Sequence, residues 1–256
     1  MILVFYAFGL EAAPLKRRLK NRQPLKQAGL RGVSAEIAGK ELTLVATGIG
    51  HRRAREAAQR AFDVLPAPEM VIATGVAGGL TPRLKPGDIV LADRILASLA
   101  EGAATDDDLL LAAEDVREIA RALGAAGLGY ATGALLTSHR ALATADEKRL
   151  AHQRTGAIAV EMETAALASE ASRRGLPFAS VRTVLDPAGD QLLMVPPPPP
   201  GSGWARRRIA AAGHVVRNPA MLLDLPRMAI NLSRATRSIA DALEAIARHS
   251  KFPPDR

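Results

Sequence analysis

Short apolar runs that end at glycines or follow proline-led turns alternate along this sequence with stretches of helical composition. That alternation points the chain to an α/β fold. Residues 2–6 form the first run and close at Gly9. Residues 34–47 read as a hairpin with a Gly39-Lys40 turn and alternating Leu42, Leu44 and Ala46 on the second arm. Residues 70–74 lead into Gly75, Gly78 and Gly79, residues 87–92 follow Pro86, and 130–137, 157–160 and 178–184 complete the set. Helices are expected over 51–65, 106–123, 144–154 and 163–174, the second favoured at its start by the aspartates at 106–108. Strands covered by helices on both faces call for a mixed, largely parallel twisted sheet in three layers. Glycines at strand ends are where such sheets admit ligands.

A chain of 256 residues is long enough to bury such a core as a single domain. The sequence divides into a catalytic core over 1–190, a proline-rich loop over 191–203 and a helical extension over 204–256. In the extension Ala235, Ile239, Leu243 and Ile246 recur at helical spacing. With 48% apolar but only 3% aromatic residues, the core must be aliphatic. Cysteine is absent, which excludes disulfides, thiolate metal sites and cysteine nucleophiles, and the five histidines show no metal-ligand spacing. No metal is expected.

The net charge of +8 is unevenly placed. Residues 12–35 carry seven basic side chains and no acid, residues 204–256 carry ten basic against four acidic, and the remainder is net negative. Neither basic end interleaves aromatics for stacking on bases, so nucleic acid is not the expected partner. Contact with an anionic membrane surface is left open. The N-terminus has no charged lead-in and no apolar run reaches 18 residues, so a cytoplasmic chain is the expectation.

Three segments carry chemistry-bearing residues at strand ends: TGVAGGL (74–80), VEMETAAL (160–167) and VRTVLD (181–186). The first brings the backbone of Gly75, Val76, Gly78 and Gly79 close to an anion or a polarised water. The second sets Glu161 and Glu163 at a strand-to-helix junction, and the third ends on Asp186 before Pro187. Singly, each has a plainer reading: tight strand–helix packing, a helix-start carboxylate pair, and an ordinary turn residue. Those readings do not account for the three segments together.

In order and spacing these segments resemble the nucleoside phosphorylase/nucleosidase family that includes methylthioadenosine/S-adenosylhomocysteine nucleosidase. GIG at 48–50, GDIVLAD at 87–93 and LLTSHRAL at 135–142 fall where that family has equivalents, and the likeness runs from residue 2 to about 190. The resemblance implies that a purine nucleoside loses its base by N-glycosidic cleavage. Asp186 matches the acid that protonates the departing purine, and Glu163 the carboxylate that holds the ribose hydroxyls. Glu11 is the candidate for orienting the attacking water. Met162 matches the residue packed on the ribose, Glu161 lies beside it, and the backbone near Leu142 would meet the purine.

Hydrolysis is expected over phosphorolysis, because the N-terminal turn Phe8-Gly9-Leu10-Glu11 follows the nucleosidase pattern. No cofactor is implied. Were phosphate a co-substrate, Gly75, Arg52 and Arg53 would be its candidate ligands. Residues 217–243 resemble the tail of the hopanoid-associated phosphorylases, which implies release of adenine from adenosylhopane. An ordinary methylthioadenosine/S-adenosylhomocysteine nucleosidase and a nucleoside-binding protein without catalysis are the alternatives. The family resemblance also implies a homo-oligomer.

Overall fold

A computed structural model describes residues 1–27, 29–98, 108–191 and 220–252. Its elements run in the order β1 (Ile2–Tyr6), α1 (Ala13–Arg18), β2 (Lys20–Pro24), β3 (Gly32–Ile37), β4 (Lys40–Ala46), α2 (His51–Val64) and β5 (Met70–Gly79). Then follow β6 (Ile89–Ser98), β7 (Asp108–Leu110), α3 (Ala113–Ala125), β8 (Tyr130–Ser138), α4 (Ala145–Thr155), β9 (Ala159–Glu161), α5 (Thr164–Ser172), β10 (Phe178–Asp186) and α6 (Ala220–His249).

The sheet is mixed, with strand order β10-β6-β8-β9-β5-β1-β4-β3-β2, and β10 also pairs with β5. Five strands, β5, β10, β6, β8 and β9, therefore close a ring from which β1 to β4 extend as an open wing. Apolar side chains on one face (Val4, Leu42, Leu44, Ile72, Val181) meet α1, α3 and α6 through Leu15, Ile119, Leu243 and Ile246. On the other face Leu3, Phe5, Val45 and Val71 meet alanines of α2 and α5, small enough to let both helices lie close. The result is the three-layer α/β architecture expected, with an aliphatic core.

Several boundaries differ from expectation for identifiable reasons. The hairpin turn is Ala38-Gly39, both at positive φ, as a two-residue connection with this twist requires. β5 does not stop at Thr74 but continues through the glycines to Gly79, because β10 pairs with it as far as Gly78 and β9 pairs with Gly78 and Gly79. β6 likewise runs on to Ser98 beside β8. Asp108 belongs to β7, paired with Leu96, so the third helix starts at Ala113 rather than at 106. The basic stretch after Ala12 supplies α1 and β2, neither of them anticipated. β2 is a fully exposed edge whose Lys20, Arg22 and Pro24 discourage further strand pairing. Most of the proline-rich loop, from residue 192, lies outside the described residues.

The two basic ends also meet. Arg18 of α1 pairs with Asp241 and Glu244 of α6, which places acids of one end on a cation of the other. Among the described residues no helix is long and apolar enough to cross a membrane.

α4 has the clearest local code. Thr144 Oγ1 accepts from Glu147 N at 3.2 Å, and Glu147 Oε2 accepts from Thr144 N at 3.0 Å and Ala143 N at 2.8 Å, a complete capping box. The Thr144 N–H and the Arg140 guanidinium hold the Glu147 carboxyl down to about 2. Gly156 closes the helix in the left-handed conformation. Thr144→Ala is expected to cost about 1 kcal/mol of stability, read as a lower urea midpoint with unchanged slope; an unchanged midpoint would show the cap to be dispensable.

Candidate active site

The cleft forms where β5 changes partners. Along one edge Met70–Ala73 pairs with β1, and further on Gly78 and Gly79 pair with β9. Between them that edge has no strand partner, and the Val76 N–H turns instead to Glu11 Oε1 at 3.0 Å. This is the topological switch point at which open α/β sheets bind ligands. A cleft of about 530 Å3 opens there, lined by Phe8, Glu11, Ile49, Val76, Gly78, His139, Leu142, Met162, Glu163, Leu185 and Asp186 among others.

Glu11 sits in the turn after β1 and is buried. Its Oε2 accepts from Ala7 N at 2.8 Å and Phe8 N at 3.0 Å, so with Val76 the carboxylate is held by three backbone N–H groups. A carboxylate has about four acceptor positions, which leaves one free for a water or hydroxyl. Burial pushes the Glu11 pKa up, opposed by the charge of Arg182 and by those three N–H groups. Gly75 makes room for this arrangement. At φ +139 it holds a conformation that side chains rarely adopt, and a Cβ there would lie 2.6 Å from both Glu11 Oε1 and Arg182 Nη1.

Arg182, on β10 and 1% exposed, is the hub. Its Nη2 donates to Glu161 Oε2 at 2.6 Å and Thr164 Oγ1 at 2.7 Å, its Nη1 to the Thr74 carbonyl at 3.0 Å. Glu163 Oε2 lies 4.0 Å from Nη1. Glu161 Oε2 also accepts from Glu163 N and Thr164 N, both at 2.9 Å, while its Oε1 accepts from Thr137 Oγ1 at 2.5 Å. Glu161 thus caps the start of α5, and its oxygens are taken up by protein donors. It frames the cleft rather than offering itself to a ligand.

Glu163 is different. Its Oε1 accepts from Gly50 N at 2.7 Å, and acceptor positions remain on both oxygens. Burial, the neighbouring Glu161 charge and Glu11 raise its pKa to about 7, against the pull of Arg182 and the Gly50 N–H. Burial is the larger cause, and one guanidinium among three carboxylates leaves the cluster too short of positive charge to offset it.

Asp186 stands across the same cleft. β10 stays in register with β5 up to Val184 opposite Ala77, then skips Leu185 so that Asp186 falls opposite Gly78. Such a bulge re-aims a side chain, and the missing side chain at Gly78 leaves it space: a Cβ there would touch Asp186 Oδ2 at 3.3 Å. Asp186 pairs with the ammonium of Lys148. Burial nevertheless raises its pKa, with the Lys148 charge and hydrogen bond working in the opposite direction.

Of the residues singled out in the sequence, Glu11, Val76, Gly78, Leu142, Glu161, Met162, Glu163 and Asp186 line one cleft. Gly79 lies behind it, with Val184 and Leu84 over its Cα. Arg52 and Arg53 do not line it: Arg52 points to solvent and pairs with Glu56, and Arg53 lies over Gly48, lining a separate cavity with Arg31 and Arg60. The turn of α2 that carries them sends their side chains away from the site. At Gly75 the space is already filled by Glu11 and Arg182.

Arg182 and Lys148 are the two residues to which no role was assigned from the sequence. Arg182 had a signal, a lone cation inside an apolar strand run, which needs a buried partner. Lys148 had none, since it stands among Asp146, Glu147 and Arg149 like any solvated helix residue.

A partly closed mixed sheet with opposed carboxylates at its switch point defines a class of ligand-binding α/β proteins. More particularly, the model of the phosphorylase superfamily matches residues 1–195, and the chain belongs to that family. Solved structures share the fold over nearly the whole chain. A 5′-methylthioadenosine/S-adenosylhomocysteine nucleosidase from Neisseria meningitidis, in complex with methylthio-immucillin-A, is 22% identical with a TM-score of 0.72, covering 96% of this chain and 98% of that one. One from Colwellia psychrerythraea, in complex with adenine, is 19% identical with a TM-score of 0.74, covering 99% and 97%. Futalosine hydrolase of Helicobacter pylori is 16% identical with a TM-score of 0.68, covering 96% of each.

The raised Glu163 value makes a stability prediction. The folded chain binds this proton more tightly than the unfolded chain does, so between the ordinary carboxyl range and about pH 7 stability falls as pH rises. Glu163→Gln is expected to raise the melting temperature at pH 8, a gain on the order of 1–3 kcal/mol that disappears at pH 4. A melting temperature at pH 8 equal to or below that of the parent would contradict the raised value.

Proposed function

We propose that this chain hydrolyses the N-glycosidic bond of a purine nucleoside. The observation that carries the reading is the placement of Glu11. Three backbone N–H groups converge at the switch point, where an anionic co-substrate would be expected to bind, and the chain's own carboxylate occupies them. That leaves a buried base for water, with the N–H groups that could receive phosphate already taken by Glu11. Arg52 and Arg53, turned away, offer no substitute.

The remaining roles follow from chemistry. Asp186, raised by burial, is the proton source for the departing purine, whose protonated form takes the electrons of the C–N bond more readily. Glu163 accepts hydrogen bonds from the ribose hydroxyls, and its negative charge stabilises the oxocarbenium-like sugar. Met162 packs on the ribose and Leu142 borders the base. Glu11 takes a proton from the water that completes the sugar. The acid must be protonated and the other two ionised, so the pH profile is a bell. Glu163, raised to about 7, and Glu11, also raised by burial, both lie on its acidic limb, so activity rises as pH increases through about 7.

For the substrate, the resemblance of residues 217–243 to the hopanoid-associated branch supports adenosylhopane, with adenine as the product. Phe8, Ile49, Leu142 and Leu185 give the cleft aliphatic and aromatic walls suited to an apolar 5′ substituent. Ile49 is half exposed, room for such a group or for a second copy of the chain to cover it. Methylthioadenosine is the second candidate, supported by the nucleosidases that share the fold. An apolar substrate stored in lipid also gives the basic N-terminal stretch a use, since Arg17, Lys20, Arg22 and Lys26 remain exposed.

The test is to follow free purine from methylthioadenosine, inosine and an adenosylated triterpenoid, with and without phosphate. Release independent of phosphate and fastest from the triterpenoid is expected; strict phosphate dependence overturns hydrolysis, and no release from any substrate overturns the enzymatic reading. Asp186→Asn is expected to lose about 10²–10⁴ in rate while still binding adenine, and turnover at the parent rate would remove Asp186 from its role.

A further inference from the structure

The helix α4 buries one side chain, and it is a lysine. Lys148 is 0% exposed. Its Nζ donates to the carbonyls of Pro187 at 2.9 Å and Asp190 at 3.0 Å, and its third contact is the Asp186 carboxylate. Three oxygens around one nitrogen match the three N–H bonds of an ammonium. A buried cation is costly unless paired and hydrogen-bonded; the two carbonyls hold it in either state of Asp186, and the carboxylate pairs with it once Asp186 is ionised. The capping box at Thr144 and Glu147 fixes the first turn of the helix and so the direction from which Lys148 enters. The residues it grips follow Asp186 directly, and Asp190 is tied in turn to Arg227 of α6.

We propose that Lys148 is a positioning residue for the acid, holding the Asp186 carboxyl toward the cleft and compensating the charge left on it when its proton passes to the departing base. This rests on the reading of Asp186 as the proton donor. In the step, the Asp186 O–H bond breaks, a purine ring nitrogen gains the proton, and the electrons of the breaking C–N bond move onto the purine. The resulting aspartate faces an ammonium already in contact with it, so no group has to move to meet the new charge. Burial alone would make Asp186 a reluctant donor; the Lys148 charge and hydrogen bond pull the other way and make it a stronger acid.

Other charged groups near Asp186 do not duplicate this role. Asp190 follows it in the chain and opposes ionisation, and Arg227 pairs with Asp190. Glu11, Glu161, Glu163, His139 and Arg140 line the same cleft, but the three carboxylates are grouped around Arg182 and Arg140 pairs with Glu147. Lys148 is the cation that lowers the Asp186 value.

The experiment compares the intact chain with Lys148→Met, Lys148→Arg, Asp186→Asn and the double variant Lys148→Met/Asp186→Asn. In Lys148→Met, kcat is expected to fall about tenfold, a part of the roughly 10²–10⁴ a general acid supplies. KM stays unchanged, and the alkaline limb of the kcat profile moves to higher pH, because a carboxyl without its cation holds its proton longer. Lys148→Arg restores the limb, and in the Asp186→Asn background removal of the lysine costs nothing further. A lysine that only ties down residues 187–190 would raise KM and leave the limb in place, which overturns the proposal.

Two NMR titrations need no turnover. The Asp186 carboxyl titrates higher in Lys148→Met than in the intact chain. It is expected to titrate higher also in Lys148→Gln, which keeps a hydrogen-bond donor without the charge and serves if Lys148→Met does not fold. An Asp186 titration unshifted in these variants overturns the proposal. Shifted titrations in a chain that releases no purine would leave the coupling standing and reject the function; purine release with unshifted titrations would do the reverse.

Discussion

The site is organised by Arg182, a buried guanidinium that draws Glu11, Glu161 and Glu163 within reach of one positive charge. One cation cannot neutralise three carboxylates, and the structure resolves the shortfall unequally. Glu161 receives the direct pair and the N-terminal donors of α5, and Glu11 receives three backbone N–H groups. Glu163 has the weakest support, and its value is raised to about 7. Identical functional groups in one cleft are thereby given different environments, which the proposed reaction uses as a frame, a base and an adjustable charge at the sugar.

The sheet supplies the geometry for this inequality. Ring closure through β5 and β10 brings Arg182 and Asp186, four residues apart on one strand, against Gly75 and Gly78 of the next. The skip at Leu185 puts them on opposite sides of the reacting bond as proposed: Arg182 beneath the sugar carboxylates, Asp186 toward the base. Asp186 has its own separate cation in Lys148 of α4, so in the proposed reaction proton donation and charge stabilisation do not compete for the same guanidinium.

Much of this was legible in the sequence. Alternating strands and helices gave the three layers, and the residues at the ends of the runs around 70, 160 and 181 proved to be neighbours. What the sequence obscured was pairing. Residues 75–79 look like a turn because of their glycines, yet they extend a strand, since two neighbouring strands supply hydrogen bonds that local propensity does not register. Asp108 looks like a helix start until Leu96 pairs with it. Glu161 and Glu163 look equivalent in VEMET, and only the donors that reach each one, from Thr137, Arg182 and Gly50, tell them apart. Lys148 was hidden because its neighbours in sequence are charged while its neighbours in space are an aspartate and two carbonyls.

The gap in pairing along β5 has a consequence for how this site tolerates change. Ala7, Phe8, Val76 and Gly50 hold its carboxylates through their peptide N–H groups. Every residue except proline carries that donor, so at Ala7, Phe8 and Val76 the hold on the carboxylates does not depend on the side chain present, whereas Gly50, at φ +98, also needs a backbone conformation that side chains rarely adopt. Constraint concentrates instead on the few side chains that carry charge and on Gly75, where any atom added would displace one. Much of the machinery is therefore written in the chain's path through space, and it persists under sequence drift for as long as that path does.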